Sequence, residues 1–203
     1  MIIQPVFPDG IGIAKNTELS LDKDLLLSTV RWKDAPGLNA GMSKQSQTDL
    51  HLYEEWKPLA NWIKEQAKIY WQNMGWVCDE LWFTQFWCNS MSEGGNITSH
   101  RHSNSMITGV YYLKTTEHSG GTVFECTKSP LELMIQTEFS HDTPYNMGEM
   151  LVPAMQDHAL FFPSYIMHRS QVNHQPTERY TVAFNLLPNV LGRENGFNLA
   201  RFK

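Results

Sequence analysis

Five short runs between residues 80 and 187 limit what this 203-residue chain can fold into more than any other feature. They are "ELWFTQFWCN" (80–89), "SMITGVYYLK" (105–114), "GGTVFEC" (120–126), "HALFFPS" (158–164) and "RYTVAFNLL" (179–187). Each is rich in aromatic or β-branched residues, and Gly, Pro, Asn and Ser separate them. That is the grammar of strands and turns, repeated too often for a helical bundle. Upstream, residues 46–74 place apolar side chains at 52, 56, 59, 63, 67, 70 and 74. Steps of three and four predict an amphipathic helix packed on something larger. Pro58 suits the first turn of a second segment, so two helices are expected, the latter ending at Gly75. Helices first and strands later predict an α+β fold, with a helical layer backing a β-sandwich or jelly roll. A single domain over residues 1–203 is expected, mainly helical in 1–75 and jelly roll in 76–190.

Composition narrows the function. Hydrophobic residues make up 41% of the chain and aromatics 12%, which describes a globular protein. A net charge of −5 leaves no excess of Lys and Arg to neutralise phosphates, so nucleic acid is not an expected partner. Cys78, Cys88 and Cys126 are odd in number and form no CxxC pair, which points to a reducing cytoplasm. The start "MIIQPVFPDGIGIA" lacks a basic leader and is broken by Pro5, Pro8 and Gly10, so it does not read as a signal peptide. No apolar run approaches the roughly 18 to 20 residues needed to cross a bilayer.

The chemistry concentrates in three places. His100 and His102 stand at i and i+2 before the strand that contains Tyr112. On extended backbone such a pair points the same way, as a shared metal requires. His168 follows an apolar strand and a Pro-Ser corner in "FFPSYIMHRS". Arg179 opens a strand on which Thr181, Ala183 and Asn185 share its face, while Tyr180, Val182, Phe184 and Leu186 form the packed face. An arginine followed by small residues suggests a cavity in which a guanidinium clasps a carboxylate by two parallel hydrogen bonds. Tyr112 is placed to add its phenol to the same carboxylate. Asn89, two past Trp87, either lines this pocket or caps a turn. His51, His118, His141, His158 and His174 are read as structural or solvated, and Trp82, Trp87, Phe124 and Phe161 as core.

The ordered set "FWCN…HRHSNSMITGVYYL…FFPSYIMH…RYTVAFN" resembles the 2-oxoglutarate-dependent non-haem iron oxygenases. It is similar in particular to a subfamily frequent in marine bacteria and their phages, over about residues 75–187. The resemblance implies a prolyl-hydroxylase-like double-stranded β-helix backed by N-terminal helices, with Fe(II) and 2-oxoglutarate as cofactors. It implies that His100, His102 and His168 form the catalytic metal site, and that Arg179, Tyr112 and Asn89 serve the cosubstrate. The reaction it implies is a hydroxylation, and the expected substrate is a small molecule or a protein side chain.

The chain departs from the family pattern at His102, where a carboxylate is expected. His102 is the third ligand of an all-histidine triad, or lies outside the ligand set, or begins a register in which Asn104 is a weak ligand. The first is preferred, because same-face imidazoles suit iron. Glu93 and Asp157 are the nearest acids in sequence, and neither spacing recommends it. Two other functions compete. A cupin-type enzyme without 2-oxoglutarate expects a glutamate shortly after the histidine pair, and residues 103–109 contain no acid. The other is a non-catalytic jelly-roll module in which the histidines are incidental.

Overall fold

The aromatic runs pair side by side, and every strand pairing is antiparallel. The computed structural model describes residues 8–35, 42–76, 80–126, 140–143, 145–193 and 197–201. The first part holds β1 (Gly12–Lys15), α1 (Lys23–Ser28), β2 (Lys33–Asp34), β3 (Ser43–Gln45) and α2 (Lys57–Asn73). Then come β4 (Leu81–Met91), β5 (Ile107–Lys114), β6 (Thr122–Glu125), β7 (Glu149–Val152) and β8 (His158–Pro163). The last are β9 (Met167–Ser170), β10 (Arg179–Pro188), β11 (Val190–Arg193) and β12 (Phe197–Arg201).

Seven strands form one sheet in the order β1-β8-β5-β10-β4-β3-β2, and three form a second, β7-β6-β9. The neighbours β4, β10, β5 and β8 are far apart in sequence, so the chain crosses between sheets as it runs. A small apolar cluster joins them, with Tyr112, Leu160 and Phe162 from the large sheet meeting Phe124 and Val152 from the small one. The result is a jelly roll, mostly β-sheet with few helices. His100 adds an edge to the small sheet: its N–H and carbonyl each exchange a 2.9 Å hydrogen bond with His168.

The other face of the large sheet carries the main core. Leu59, Ile63, Ala67 and Tyr70 of α2 pack there with Phe86, Tyr111, Phe161 and Phe184. Trp62 meets Tyr111 edge-on at 5.9 Å, and Tyr70 stacks on Phe161 at 6.1 Å. Alternation along β10 sends Val182, Phe184 and Leu186 into this core and leaves the opposite face for the site.

Two details differ from the sequence reading. The run before Pro58 is a pair of single 3-10 turns, Leu50–Leu52 and Glu54–Trp56, rather than an α-helix. Fully buried Trp56 sits at the junction and donates its indole N–H to Thr29 Oγ1 at 2.8 Å. Pro58 occupies the first turn of α2, where no N–H is needed. The first 75 residues also contribute β1, β2 and β3 to the large sheet. These strands span four residues or fewer, and β1 and β3 join the sheet through the distant strands β8 and β4, so they leave almost no periodic signal.

Candidate active site

The three histidines predicted to act together do meet. One ring nitrogen from each of His100, His102 and His168 lies within 4.8 Å of the others, and no carboxylate joins the group among the described residues. Backbone pairing explains the meeting. The bridge between His100 and His168 sets their rings 4.4 Å apart, and the His102 N–H donates to the Ser164 carbonyl at 3.0 Å. His102, two residues along, returns to the same face, its ring 5.0 Å from His100 and 5.2 Å from His168.

Two of the rings have their tautomer fixed by the main chain. His100 Nδ1 lies 2.7 Å from the Thr98 carbonyl oxygen, and His168 Nδ1 lies 2.9 Å from that of Ile166. A carbonyl only accepts, so each Nδ1 holds its proton, and the neutral form of each ring has its lone pair on Nε2. The rings are braced by neighbours, Phe162 edge-on to His168 at 4.7 Å and Trp87 against His102 at 5.7 Å. Burial, with the nearby imidazoles of His168 and His100, pushes His102 down to about 3. Burial and His100 push His168 down to about 4. Both are therefore neutral at pH 7, the form a metal needs.

Arg179 lies in the same cavity between the sheets and is 1% exposed. Its guanidinium donates to the carbonyls of Ser119 and Gln171 and to the Met91 sulfur, while its Nε–H has no acceptor. Gly120 makes room for it. A Cβ there would lie 2.8 Å from Arg179 Nη1, and its φ of +82° already favours glycine. Burial lowers Arg179 to about 10, so it stays a cation; among the described lining residues there is no carboxylate, and Arg169, also in the lining, is paired with Glu125 and Glu149. A buried cation without an acid partner is costly unless an anion joins it.

Tyr112 and Asn89 line the same cavity. Tyr112 shares a 2.8 Å hydrogen bond with Thr122, and burial raises its phenol, partly offset by Thr122 and Arg179. Asn89 pairs with Thr181 and accepts the indole N–H of Trp87 at 3.1 Å, so it caps no turn. Asn104 sits on an exposed turn at φ +57° and does not line the cavity. Asp157 is occupied by Lys23 and Tyr111, and neither it nor Glu93 lines the cavity.

The sequence reading missed Gln45 and Met91, which the pairing of β3 with β4 and of β4 with β10 brings to the cavity wall. It placed Asn185 on the right face but gave it no role. The amide of Asn185, 1% exposed, stands 3.0 Å from His102 Nδ1.

These features define a double-stranded β-helix protein with a histidine-built metal-ligand group. A family model described as "Putative 2OG-Fe(II) oxygenase" matches residues 85–185, from within β4 to within β10. The chain belongs to this family and is a 2-oxoglutarate- and Fe(II)-dependent oxygenase.

Solved structures agree in fold. The non-haem α-ketoglutarate-dependent epimerase SnoN from nogalamycin biosynthesis superposes with a TM-score of 0.65 at 11% identity, covering 96% of this chain and 91% of its own. HygX from Streptomyces hygroscopicus, solved with nickel, 2-oxoglutarate and hygromycin B, gives 0.57 at 11% identity, covering 89% and 83%. A prolyl-4-hydroxylase from Pseudomonas putida gives 0.55 at 13% identity, covering 88% and 92%. No curated protein matches in sequence. Among the described residues, no helix is long and apolar enough to cross a membrane.

Proposed function

We propose that His100, His102 and His168 hold Fe(II), that Arg179 binds the far carboxylate of 2-oxoglutarate, and that the enzyme hydroxylates a small molecule or a protein side chain. One observation carries this reading: a buried guanidinium with an unused N–H shares a cavity with three converging imidazoles, and no carboxylate stands among its described lining residues. The donor set fits Fe(II), since imidazole suits that metal and His100 and His168 are preset to offer Nε2. Three neutral ligands leave the metal's two positive charges for a dianion to balance, and Arg179 adds one more.

When bound, Fe(II) supplies the redox chemistry that couples cosubstrate oxidation to substrate oxidation. The chain's own residues orient and enclose. Arg179 offers its fork to the far carboxylate, with the Tyr112 hydroxyl as a second donor and Asn89 on the wall. Phe124, Phe162 and Trp87 around the histidines keep water out. Met91, whose sulfur accepts from Arg179, adds a flexible thioether to the same wall.

Residues 1–203 are read as one oxygenase unit in which α2 and β1–β3 support the jelly roll of residues 76–190. The packing of α2 on the large sheet supports this. The free thiols Cys88 and Cys126 support a reducing, cytoplasmic setting.

The test is calorimetric titration of 2-oxoglutarate into the Mn(II)-loaded protein. Saturable one-to-one binding that requires both the metal and Arg179 is expected. Binding indifferent to Arg179 would overturn the reading.

A further inference from the structure

Strand register sets Tyr112, Thr181, Asn89 and Gln45 in one row across the cavity wall, one residue each from β5, β10, β4 and β3. The row runs from the cosubstrate end, where Tyr112 stands with Arg179, to the outermost of these strands, β3. Tyr112 is satisfied by its hydrogen bond to Thr122. The other three are not. Asn89 is 3% exposed and Thr181 4%, yet both keep unused hydrogen-bonding groups. The indole N–H of Trp87 can only donate, so Asn89 must meet it with Oδ1, which leaves its NH2 group over. Among the described residues that NH2 has no acceptor, and neither the Thr181 hydroxyl nor the Gln45 amide has a partner.

A buried polar group left unpaired costs stability, and native proteins keep few of them. Three side chains with spare capacity in one row mark a binding site. The row also adjoins the histidine group. The ring of Trp87 packs against His102 at 5.7 Å while its N–H holds Asn89, so one side chain touches both.

Charge narrows the ligand. Among the described lining residues the cations are Arg179, assigned to the cosubstrate, and Arg169, paired with Glu125 and Glu149. None of those residues is a carboxylate, so neither a cation nor a second anion finds a free counter-charge in the lining. Lys33, beside Gln45 on β2, is exposed and does not line the cavity. A neutral ligand must offer an acceptor to the Asn89 NH2 and make use of the Gln45 amide. Adjacent strands hold the two side chains roughly 5 Å apart at Cβ. An amide meets both with separate atoms, its carbonyl on Asn89 Nδ2 and its N–H on Gln45 Oε1.

We propose that this row binds the primary substrate, and that the substrate presents an uncharged carboxamide to Asn89 and Gln45. The proposal rests on the reading of the histidine group as the oxidising centre. The row then seats two ligands side by side, the cosubstrate at Tyr112 and the substrate amide at Asn89 and Gln45. The Thr181 hydroxyl stands at the boundary between them.

Four probes of similar length test this on the metal-free full chain: butanamide, butanol, butylamine and butanoate. Binding is read by NMR of side-chain NH2 groups in isotope-labelled protein, where the Gln45 signal is assigned by its loss in Gln45→Glu. Butanamide is expected to bind about tenfold more tightly than the other three and to shift the Gln45 signal. Gln45→Leu should level the amide with the alcohol, and Gln45→Glu should turn the preference to butylamine; the position is half-exposed, so folding should survive. Butanamide should bind equally well with Zn(II) and 2-oxoglutarate present. Equal affinities, preference for another probe, no binding by any probe, an unchanged amide preference in both variants, or displacement by 2-oxoglutarate would each overturn the proposal. Whether 2-oxoglutarate binds beside Arg179 is read by its own titration, so failure of the substrate row and failure of the cosubstrate reading remain distinguishable.

Discussion

Asn185 and His102 face one another across 3.0 Å, amide to imidazole, inside the jelly roll. With Asn185 Nδ2 directed at His102 Nδ1, the neutral imidazole carries its proton on Nε2 and has no lone pair for a metal. Turning the amide over presents Oδ1, which accepts Nδ1–H and frees Nε2. The neighbours can follow. Thr108 Oγ1 lies 2.8 Å from Asn185 Oδ1 and 2.9 Å from the Ser164 hydroxyl, and Gln85 Oε1 lies 2.9 Å from Asn185 Nδ2. After the turn, Thr108 donates to Ser164 and accepts from Asn185, while Gln85 turns its own amide.

This network predicts that Asn185 positions His102. Asn185→Leu should lower Fe(II) or Mn(II) affinity by roughly 10- to 100-fold, the range for partners that orient a ligand. Asn185→Asp, which can only accept from Nδ1–H, should retain the metal. Anaerobic metal titrations check both, and a leucine variant with wild-type affinity would leave Asn185 without this role.

The histidine group itself makes a sharper prediction. His100→Ala and His168→Ala should each abolish stoichiometric metal binding. His102→Ala should cut affinity as the loss of a ligand does, and His102→Asp should restore a His-x-acid pair and keep the metal. The added negative charge should weaken 2-oxoglutarate binding relative to wild type. Metal content by elemental analysis and cosubstrate titration read the two effects separately.

Arg179→Ala should weaken 2-oxoglutarate binding by about 2 kcal/mol or more, because it removes one end of a buried charge pair. It should also lower the melting temperature, since the guanidinium tethers the chain at Ser119 and Gln171. Arg179→Lys should recover only part of the affinity, because an ammonium cannot make the two-pronged contact. Titration of the Mn(II)-loaded variants, alongside melting curves, separates affinity from stability.

Acid should destabilise the metal-free protein. Burial holds His102 at about 3 and His168 at about 4 in the folded chain, below the ordinary 6.5 of an exposed imidazole. Below about 6.5 the unfolded chain takes up protons that the folded chain does not, so stability is full above that pH and falls towards 4 and 3. His51, half-buried and shifted the same way, adds to the slope. Melting temperatures measured from about pH 7.5 to about 4.5 should decline, and less steeply in His102→Gln. A flat wild-type profile would contradict the burial of these rings.

The sequence alone carried the strand-rich character of residues 80–187, the same-face pair His100 and His102, and the cavity face of Arg179, Thr181 and Ala183. Those follow from a side-chain period of two, which is a local property and is visible in any strand. The family pattern chose the double-stranded β-helix over a plain sandwich and added His168, whose partner is distant in sequence. Tertiary structure decided the rest. The backbone pairing of His100 with His168 assembled the group, and strand register brought Gln45 and Met91 to the wall. It also set Asn185 against His102 and joined Asp9 to Tyr165, residues far apart in the chain. The physical reason is that period fixes which face a side chain takes, whereas the partner across the gap depends on register and sheet order. Those are set by cooperative packing of the whole chain, so no single segment encodes them.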